Sequence, residues 1–233
     1  MRLFQKSLQK NPSFPLSKCI YSGFFILLSL IVFVLIGYTE EKVIILDDFE
    51  NGLNPRWKSK EFKGRTIYSV LEIDGNHILK AESNASASGL IYKYKYDPKE
   101  YPILTWRWQV DNIIQEGDAT KKEKDDYPGR LYVIFPHWFP PMSKTINYIW
   151  ANKFPKGQHI TSAYYLKDIM VAVESGEENI GKWIVVKRNV YEDFKSLFGG
   201  EPPEIGGIAI MTDTDNTGES ATAYYDDIKI EKP

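Results

Sequence analysis

The sequence predicts an all-β protein, a β-sandwich or jelly roll with one short helix. First, apolar and polar residues alternate with a period of two in many short runs, as in half-buried strands. Second, turn-forming clusters such as residues 74–76 and 175–177 separate these runs. Third, a single segment has helical periodicity. So many strands with so little helix argue against a βαβ fold, and the lack of a fixed repeat argues against a propeller.

The predicted elements follow one another along a single domain, residues 40–233. The strands are expected near residues 43–49, 65–73, 77–82, 90–96, 103–110, 130–135, 145–151, 159–166, 169–174, 183–190, 207–212 and 221–230. The helix is expected over residues 190–198, because four apolar residues share one face there before Gly199-Gly200 and Pro202-Pro203 end it. The charged stretch 115–127 is expected to be a loop between two strands.

The N-terminal segment predicts export. Residues 19–39 carry no charge, and residues 24–36 are apolar on every side, which is typical of a membrane segment. Basic residues precede the segment and Glu40-Glu41 follow it, so residues 1–18 are expected in the cytoplasm. Residues 19–39 would then be a transmembrane signal-anchor or a cleaved signal peptide. The domain would lie outside the cytoplasmic membrane, as a single-pass membrane protein or, after cleavage, as a secreted one.

Composition excludes several classes of function. The chain has 29 basic and 31 acidic residues, and four of the basic ones precede the membrane segment, so the domain is a poor partner for nucleic acid. Its only cysteine, Cys19, lies in that segment, so the domain has no disulfide and no cysteine-ligated metal. No phosphate-binding glycine motif is present, so we expect no nucleotide partner.

Several motifs resemble known families. Residues 45–57 and 224–230 are similar to the first and last strands of jelly-roll carbohydrate-binding modules. Residues 104–110, 117–118, 125–133, 187–190 with 193–194, and 208–217 resemble, in this order, the bacterial DUF3047 family of exported proteins. The resemblance implies a jelly-roll-like sandwich and a secreted or envelope location, and it brings no activity or catalytic residue.

Asp125, Asp126 and Arg130 are the candidate catalytic residues. Two adjacent carboxylates precede a strand whose first outward residue is a guanidinium group. Arg130 could bind a substrate carboxylate while an aspartate ligates a metal or accepts a proton. The alternative is structural: an aspartate fastens the loop through an ion pair to Arg130 and through backbone N–H groups.

A polar trough is the candidate ligand-binding site. In residues 103–110, Trp106 and Trp108 share the face predicted to pack in the core, so Arg107 and Gln109 face the other side. Together with Arg130, Tyr132 and Asn147 they would form a concave surface that binds sugar hydroxyls. The aromatic loop 135–141 is a candidate rim or membrane-facing lip, or it packs over the end of the sandwich.

Two acidic groups are candidate structural calcium sites. Asp213 and Asp215 open a loop with the spacing of a calcium loop, but the closing acid of an EF-hand is absent because residue 224 is a tyrosine. A metal-free Asx-turn is the alternative there. The second group is Asp48, Glu50 and Asp227, which would meet if the first and last strands pair.

Three functions follow as hypotheses. The leading one is a membrane-tethered module that binds a glycan or another envelope polymer without catalysis. The second is a polysaccharide lyase or glycosidase on the same scaffold that uses Asp125, Asp126 and Arg130. The third is a structural or assembly module of the cell envelope.

Overall fold

The computed structural model describes residues 42–233, which form two β-sheets and one α-helix. The strands are β1 (Val43–Asp47), β2 (Trp57–Lys63), β3 (Ile67–Ile73), β4 (Asn76–Asn84), β5 (Ala87–Tyr96), β6 (Ile103–Val110), β7 (Tyr127–Phe135), β8 (Lys144–Ala151), β9 (His159–Thr161), β10 (Asp168–Ser175), β11 (Ile184–Asn189), β12 (Ile205–Asp213) and β13 (Ser220–Glu231). The helix α1 spans Val190–Phe198. The all-β sandwich expected from the sequence is confirmed.

The strands divide between two sheets in a jelly-roll arrangement. Sheet A has the order β11-β6-β13-β4-β3, and β1 pairs with β13. Sheet B has the order β2-β5-β12-β7-β8-β10-β9. The first and last strands therefore pair, as expected, with Ile44 opposite Ile230. Among the described strands, the β8–β10 pair is parallel and every other pair is antiparallel.

Aromatic side chains fill the space between the sheets. Trp106 and Trp108 on β6 are fully buried, as their alternation predicted. The ring of Trp106 lies 5.4 Å from that of Tyr148, and the ring of Trp108 lies 6.0 Å from that of Trp150, between centroids. Because both partners belong to β8, these contacts join sheet A to sheet B and anchor the core.

The helix begins and ends where the sequence predicts. The Asn189 side chain accepts a hydrogen bond from the Glu192 backbone N–H at 3.0 Å, which caps the first turn. Val190 and Phe194 are buried, and the Phe194 ring lies 4.6 Å from that of Phe135 at the end of β7. Gly199 follows with a φ of 71°, a conformation that favours glycine.

The sequence-based strand assignment is wrong at two places that border one surface. Strand β2 was missed, because its sequence WKSKEFK is mostly polar and its residues after Trp57 are exposed on an edge strand. The strand expected over 159–166 ends at Thr161, and residues 162–167 form a loop before β10. Tyrosine at 164 and 165 suggested a strand by propensity alone.

The predicted basic segment 1–18 and membrane segment 19–39 lie outside the described residues. Within residues 42–233, no helix has the length and apolar character needed to cross a membrane.

Candidate functional site

A groove crosses the outer face of sheet B, and we call it the sheet B groove. Alternate residues of each central strand face the core, and the others face the groove. The middle strands present small residues, Gly89 on β5 and Ala209 on β12, so the floor is low there. A side chain at position 89 would not fit, since its Cβ would lie 2.9 Å from the carbonyl oxygen of Ile210.

The walls of the groove come from the two regions that the sequence assigned wrongly. Edge strand β2 supplies Lys60 and Phe62 on one side. The loop before β10 supplies Tyr165 and leads to Asp168 on the other side. The groove contains two adjoining cavities of about 230 and 280 Å³, and both are lined by Phe62, Tyr132, Tyr165, Asp168 and Met211.

The tyrosines of the groove are held by hydrogen bonds. The Tyr165 hydroxyl lies 2.7 Å from the carbonyl oxygen of Pro141 and 3.0 Å from that of Ser143, which fastens the wall to the β7–β8 loop. The Tyr132 hydroxyl accepts from Arg130 Nη1 at 3.1 Å and donates to the sulfur of Met211 at 3.7 Å. These rings are therefore fixed in place before any ligand arrives.

Arg130 is buried at one end of the groove. Its Nη2 lies 2.8 Å from Asp213 Oδ2 and donates to the backbone oxygen of Asp125 at 2.5 Å, while the Asp125 carboxylate is 3.6 Å away. The guanidinium group also lies 4.2 Å from the centre of the Tyr127 ring. Burial opposes the charge, but Asp213 and Asp125 hold the pKa of Arg130 above its ordinary value, so the group stays cationic.

Asp126 has a structural position. It is fully buried, and it accepts hydrogen bonds from the backbone N–H groups of Asn216 and Thr217 at 3.2 and 2.7 Å. The Thr217 hydroxyl donates a third bond at 2.8 Å. These contacts fasten the β12–β13 loop to the start of β7. Of the three candidate catalytic residues, Asp125 and Arg130 line the groove cavity of about 280 Å³, and the Asp126 carboxylate holds a loop.

Asp168 is a groove residue that the sequence reasoning missed. Burial raises the pKa of its carboxyl group to about 7, with Arg130 lowering it and Asp125 raising it further. The signal available in the sequence was an acid at the start of the apolar run DIMVAV, a position where a charge is costly. Asn147, which was predicted, lies on β8 opposite Tyr132 and is fully buried.

The predicted trough is wrong in its grouping. Arg107 and Gln109 lie on β6 in sheet A, whereas Arg130, Tyr132 and Asn147 lie in sheet B, so the two sets occupy opposite outer faces. Alternation along one strand gives its two faces but not which strands are neighbours. Arg107 pairs with Asp226 and Asp227 and lies over the Trp183 ring, 4.8 Å from its centre.

The acidic candidates for calcium differ in geometry. Asp213 and Asp215 come together with Asp126, and one carboxylate oxygen from each lies within 4.8 Å of the others. In the second group, Glu50 pairs with His77 at 3.0 Å and Asp227 with Arg107 at 2.9 Å. Two acids of the second group, Glu50 and Asp227, are therefore already paired with other side chains.

The β7–β8 loop presents exposed aromatic side chains beside the groove wall. Trp138 is 89% exposed and Phe139 is 50% exposed, so neither packs over the end of the sandwich. The predicted rim or lip therefore lies at the surface, next to the Pro141 and Ser143 carbonyls that Tyr165 contacts.

Together, the two sheets and the groove define the class: a jelly-roll β-sandwich domain with a concave outer face. The chain belongs to the DUF3047 family, described as "protein of unknown function", whose family model matches residues 55–229. No curated protein sequence matches the chain.

Solved structures similar to this chain include carbohydrate-binding modules. The family 11 module of the cellulosomal cellulase Lic26A-Cel5E of Clostridium thermocellum is 12% identical, covers 84% of this chain and 97% of its own, and has a TM-score of 0.45. A module specific for non-crystalline cellulose is 14% identical, with coverages of 83% and 97% and a TM-score of 0.44. A module in complex with β-1,4-galactotriose is 9% identical, with coverages of 83% and 100% and a TM-score of 0.41.

Proposed function

We propose that the domain binds a glycan along the sheet B groove. The observation that carries the proposal is a groove that combines aromatic rings with hydrogen-bonding side chains at its wall and at one end. Phe62, Tyr132 and Tyr165 line both cavities, and Asp168 and Arg130 provide the polar groups. Sugar rings need both features, because their C–H faces stack on aromatic rings and their hydroxyl groups need donors and acceptors.

The length of the groove favours a polymer over a single sugar. It runs across the strands from β2 to β10, which are five strand spacings apart. At roughly 4.8 Å per spacing the surface is about 24 Å long, enough for several sugar residues in a row.

The test is binding of the full-length chain, purified in detergent, to an array of neutral and uronate-containing glycans. We expect binding that Phe62→Ala and Tyr165→Ala each weaken at least tenfold. Trp183→Ala is the matched control, because this half-exposed aromatic residue lies over Arg107 on the opposite face. Loss of binding in Trp183→Ala alone would move the site to sheet A, and no binding to any glycan would reject the proposal in favour of a structural or assembly module.

The cellular location is part of the proposal and rests on residues 1–39 of the sequence. A basic segment followed by residues 19–39 would place the domain outside the cytoplasmic membrane, where envelope polymers are found. A reporter enzyme active only outside the cytoplasm, fused after residue 233, is expected to be active, and deletion of residues 1–39 is expected to abolish that activity.

An enzyme on the same scaffold is the second candidate, and Asp168 favours it. A groove carboxyl group with a pKa near 7 can donate or accept a proton at neutral pH, as a lyase or glycosidase requires. Arg130 and Asp125 lie in the same cavity. Incubation with each glycan that binds, followed by mass spectrometry for new reducing or unsaturated ends, separates catalysis from binding.

Calcium at Asp213 and Asp215 remains a prediction, with Asp126 as a third ligand. The Asp213 side chain is buried, and its Oδ1 has no hydrogen-bond partner among residues 42–233. Calcium would therefore be expected to raise the unfolding temperature of the wild-type chain and not that of Asp215→Asn. An equal response of the two proteins would contradict the prediction.

A further inference from the structure

We propose that Asp168, supported by the buried Asn147, forms the polar subsite of the sheet B groove and that this subsite takes an uncharged sugar ring rather than a uronate. The inference rests on the proposed function and deepens it, since it names the residues and the ligand class. Its basis is a groove-lining carboxyl group with one buried oxygen that lacks a hydrogen-bond partner among residues 42–233, next to a cation that is already paired.

The two side chains lie at neighbouring positions of adjacent strands. Asp168 is opposite Thr145 in the β8–β10 pair, and Asn147 is two residues further along β8 on the same face. The Asn147 amide lies against the Asp168 carboxyl group. Asp168 lines both cavities, whereas Asn147 is fully buried and lines neither.

Polar atoms of both side chains lack a partner at hydrogen-bond geometry, although the Asn147 amide is near enough to lower the pKa of Asp168. Within residues 42–233, neither Oδ1 nor Nδ2 of Asn147 has a partner at hydrogen-bond geometry, and neither does Oδ1 of Asp168. Buried polar atoms are nearly always hydrogen-bonded, because an unmet donor or acceptor is costly. A sugar hydroxyl group in the cavity can both donate to and accept from the Asp168 carboxyl group, whereas the buried Asn147 would hold that group in place.

The surrounding charges select against a negative ligand. Arg130 is the buried cation nearby, and it already pairs with Asp213 and lies against Asp125. The other groups facing this region are Tyr132 from β7, Tyr165 from the loop before β10, and Lys60 across the groove on β2. A uronate carboxylate next to Asp168 would therefore enter a cavity lined by Asp125 and Asp213, where Arg130 is already paired and the cation of Lys60 lies on the opposite wall.

The protonation of Asp168 agrees with this selectivity. With its pKa raised to about 7 by burial, the group is largely protonated below neutral pH, where it both donates and accepts a hydrogen bond. Asp168→Asn keeps the shape and hydrogen-bonding capacity of the protonated acid, whereas Asp168→Ala removes both. The two variants therefore distinguish a polar subsite from a charged one.

The test measures affinities of the full-length chain in detergent at pH 6 for cellohexaose, β-1,4-mannohexaose and the C6-oxidised counterpart of each. For each of the two oligosaccharides that binds, we expect the neutral form to bind at least tenfold more tightly than its C6-oxidised form. Asp168→Ala and Asn147→Ala should each lose at least tenfold in affinity for the neutral form, and Asp168→Asn should stay within about threefold of wild type. Glu72→Gln on β3 of the opposite sheet is the control, since this acid is exposed.

The outcomes separate the two proposals. If glycans bind in the groove but the uronate binds as tightly as the neutral sugar, or if Asp168→Ala binds as wild type does, this inference is wrong and the proposed function stands. If neither these probes nor the glycan array shows binding, both fail. Because Asp168→Ala removes an acid whose charged form is disfavoured by burial, a folding defect is not expected to mask the result.

Discussion

At the scale of single residues, Arg130 and Asp213 form a buried ion pair at one end of the groove. Each side chain is about 5% exposed and the charged atoms are 2.8 Å apart. Removal of one partner leaves the other charge buried and unpaired, which typically costs about 3–5 kcal/mol.

Arg130→Gln should therefore lower the free energy of unfolding by about 3–5 kcal/mol, measured by urea denaturation. The double variant Arg130→Met/Asp213→Leu should be more stable than Arg130→Gln, because Asp213 no longer remains as a buried charge without its partner. Arg65→Gln is the control, as its pair with Glu61 is largely exposed and worth at most about 1 kcal/mol. Equal losses in Arg130→Gln and Arg65→Gln would show that the buried pair does not fasten the groove.

Asp168 makes stability depend on pH. Its pKa is about 7 in the folded state and near 4 in the unfolded chain, so the folded state binds the proton more tightly. The contribution of Asp168 to the free energy of unfolding is therefore fully present below pH 4 and is lost as pH rises through 7.

Asp168→Asn should remove this loss. We expect the variant to be more stable than wild type at pH 8, by at most about 4 kcal/mol, and much closer to wild type at pH 5. Denaturant titrations at the two pH values measure the difference. A variant that is less stable than wild type at pH 8 would mean that the ionised carboxylate has a partner in the folded protein.

At the scale of elements, β6 joins the two sheets through one face and carries ion pairs on the other. Trp106 and Trp108 contact the β8 aromatic residues in the core, whereas Arg107 pairs with Asp226 and Asp227 at the surface of sheet A. Removal of a fully buried indole leaves a large cavity.

Trp106→Ala and Trp108→Ala should each cost about 3–5 kcal/mol of unfolding free energy. Arg107→Ala should cost less, because its side chain is 27% exposed and the buried Asp226 carboxylate keeps its hydrogen bonds from Asn76 and from the Asp227 backbone N–H. Chemical denaturation of the three variants under one set of conditions checks the order. If Arg107→Ala were the most destabilising of the three, the outer face of β6 would hold the sheets together and the core face would not.

At the scale of the whole molecule, residues 42–233 hold a continuous core between two sheets. That core contains residues of every described strand except β3 and β9, with α1 covering one end. Such an arrangement needs no disulfide, and none is possible because the only cysteine is Cys19.

Residues 40–233 expressed alone should therefore fold as one cooperative unit without residues 1–39. The far-UV circular dichroism spectrum should show mainly β-structure with little helix, and thermal unfolding should give a single transition. A strongly helical spectrum, or a fragment that folds only when residues 1–39 are present, would contradict a self-contained domain.

The sequence alone determined the fold class, the helix and the inward face of most strands. Alternation at Trp106 and Trp108 and the capped segment 190–198 are local patterns, set by periods of 2 and 3.6 residues that do not depend on distant parts of the chain. The DUF3047 resemblance was likewise visible in local motifs.

Only the tertiary structure decided the site. Alternation does not give strand order, so it grouped Arg107 and Gln109 with residues that lie on the opposite sheet. It passed over β2 and the loop before β10, because an edge strand and a loop have no buried periodic face, yet they form both walls of the groove. The raised pKa of Asp168 also required the structure, since the burial that raises it arises only when β7, β8 and β10 come together.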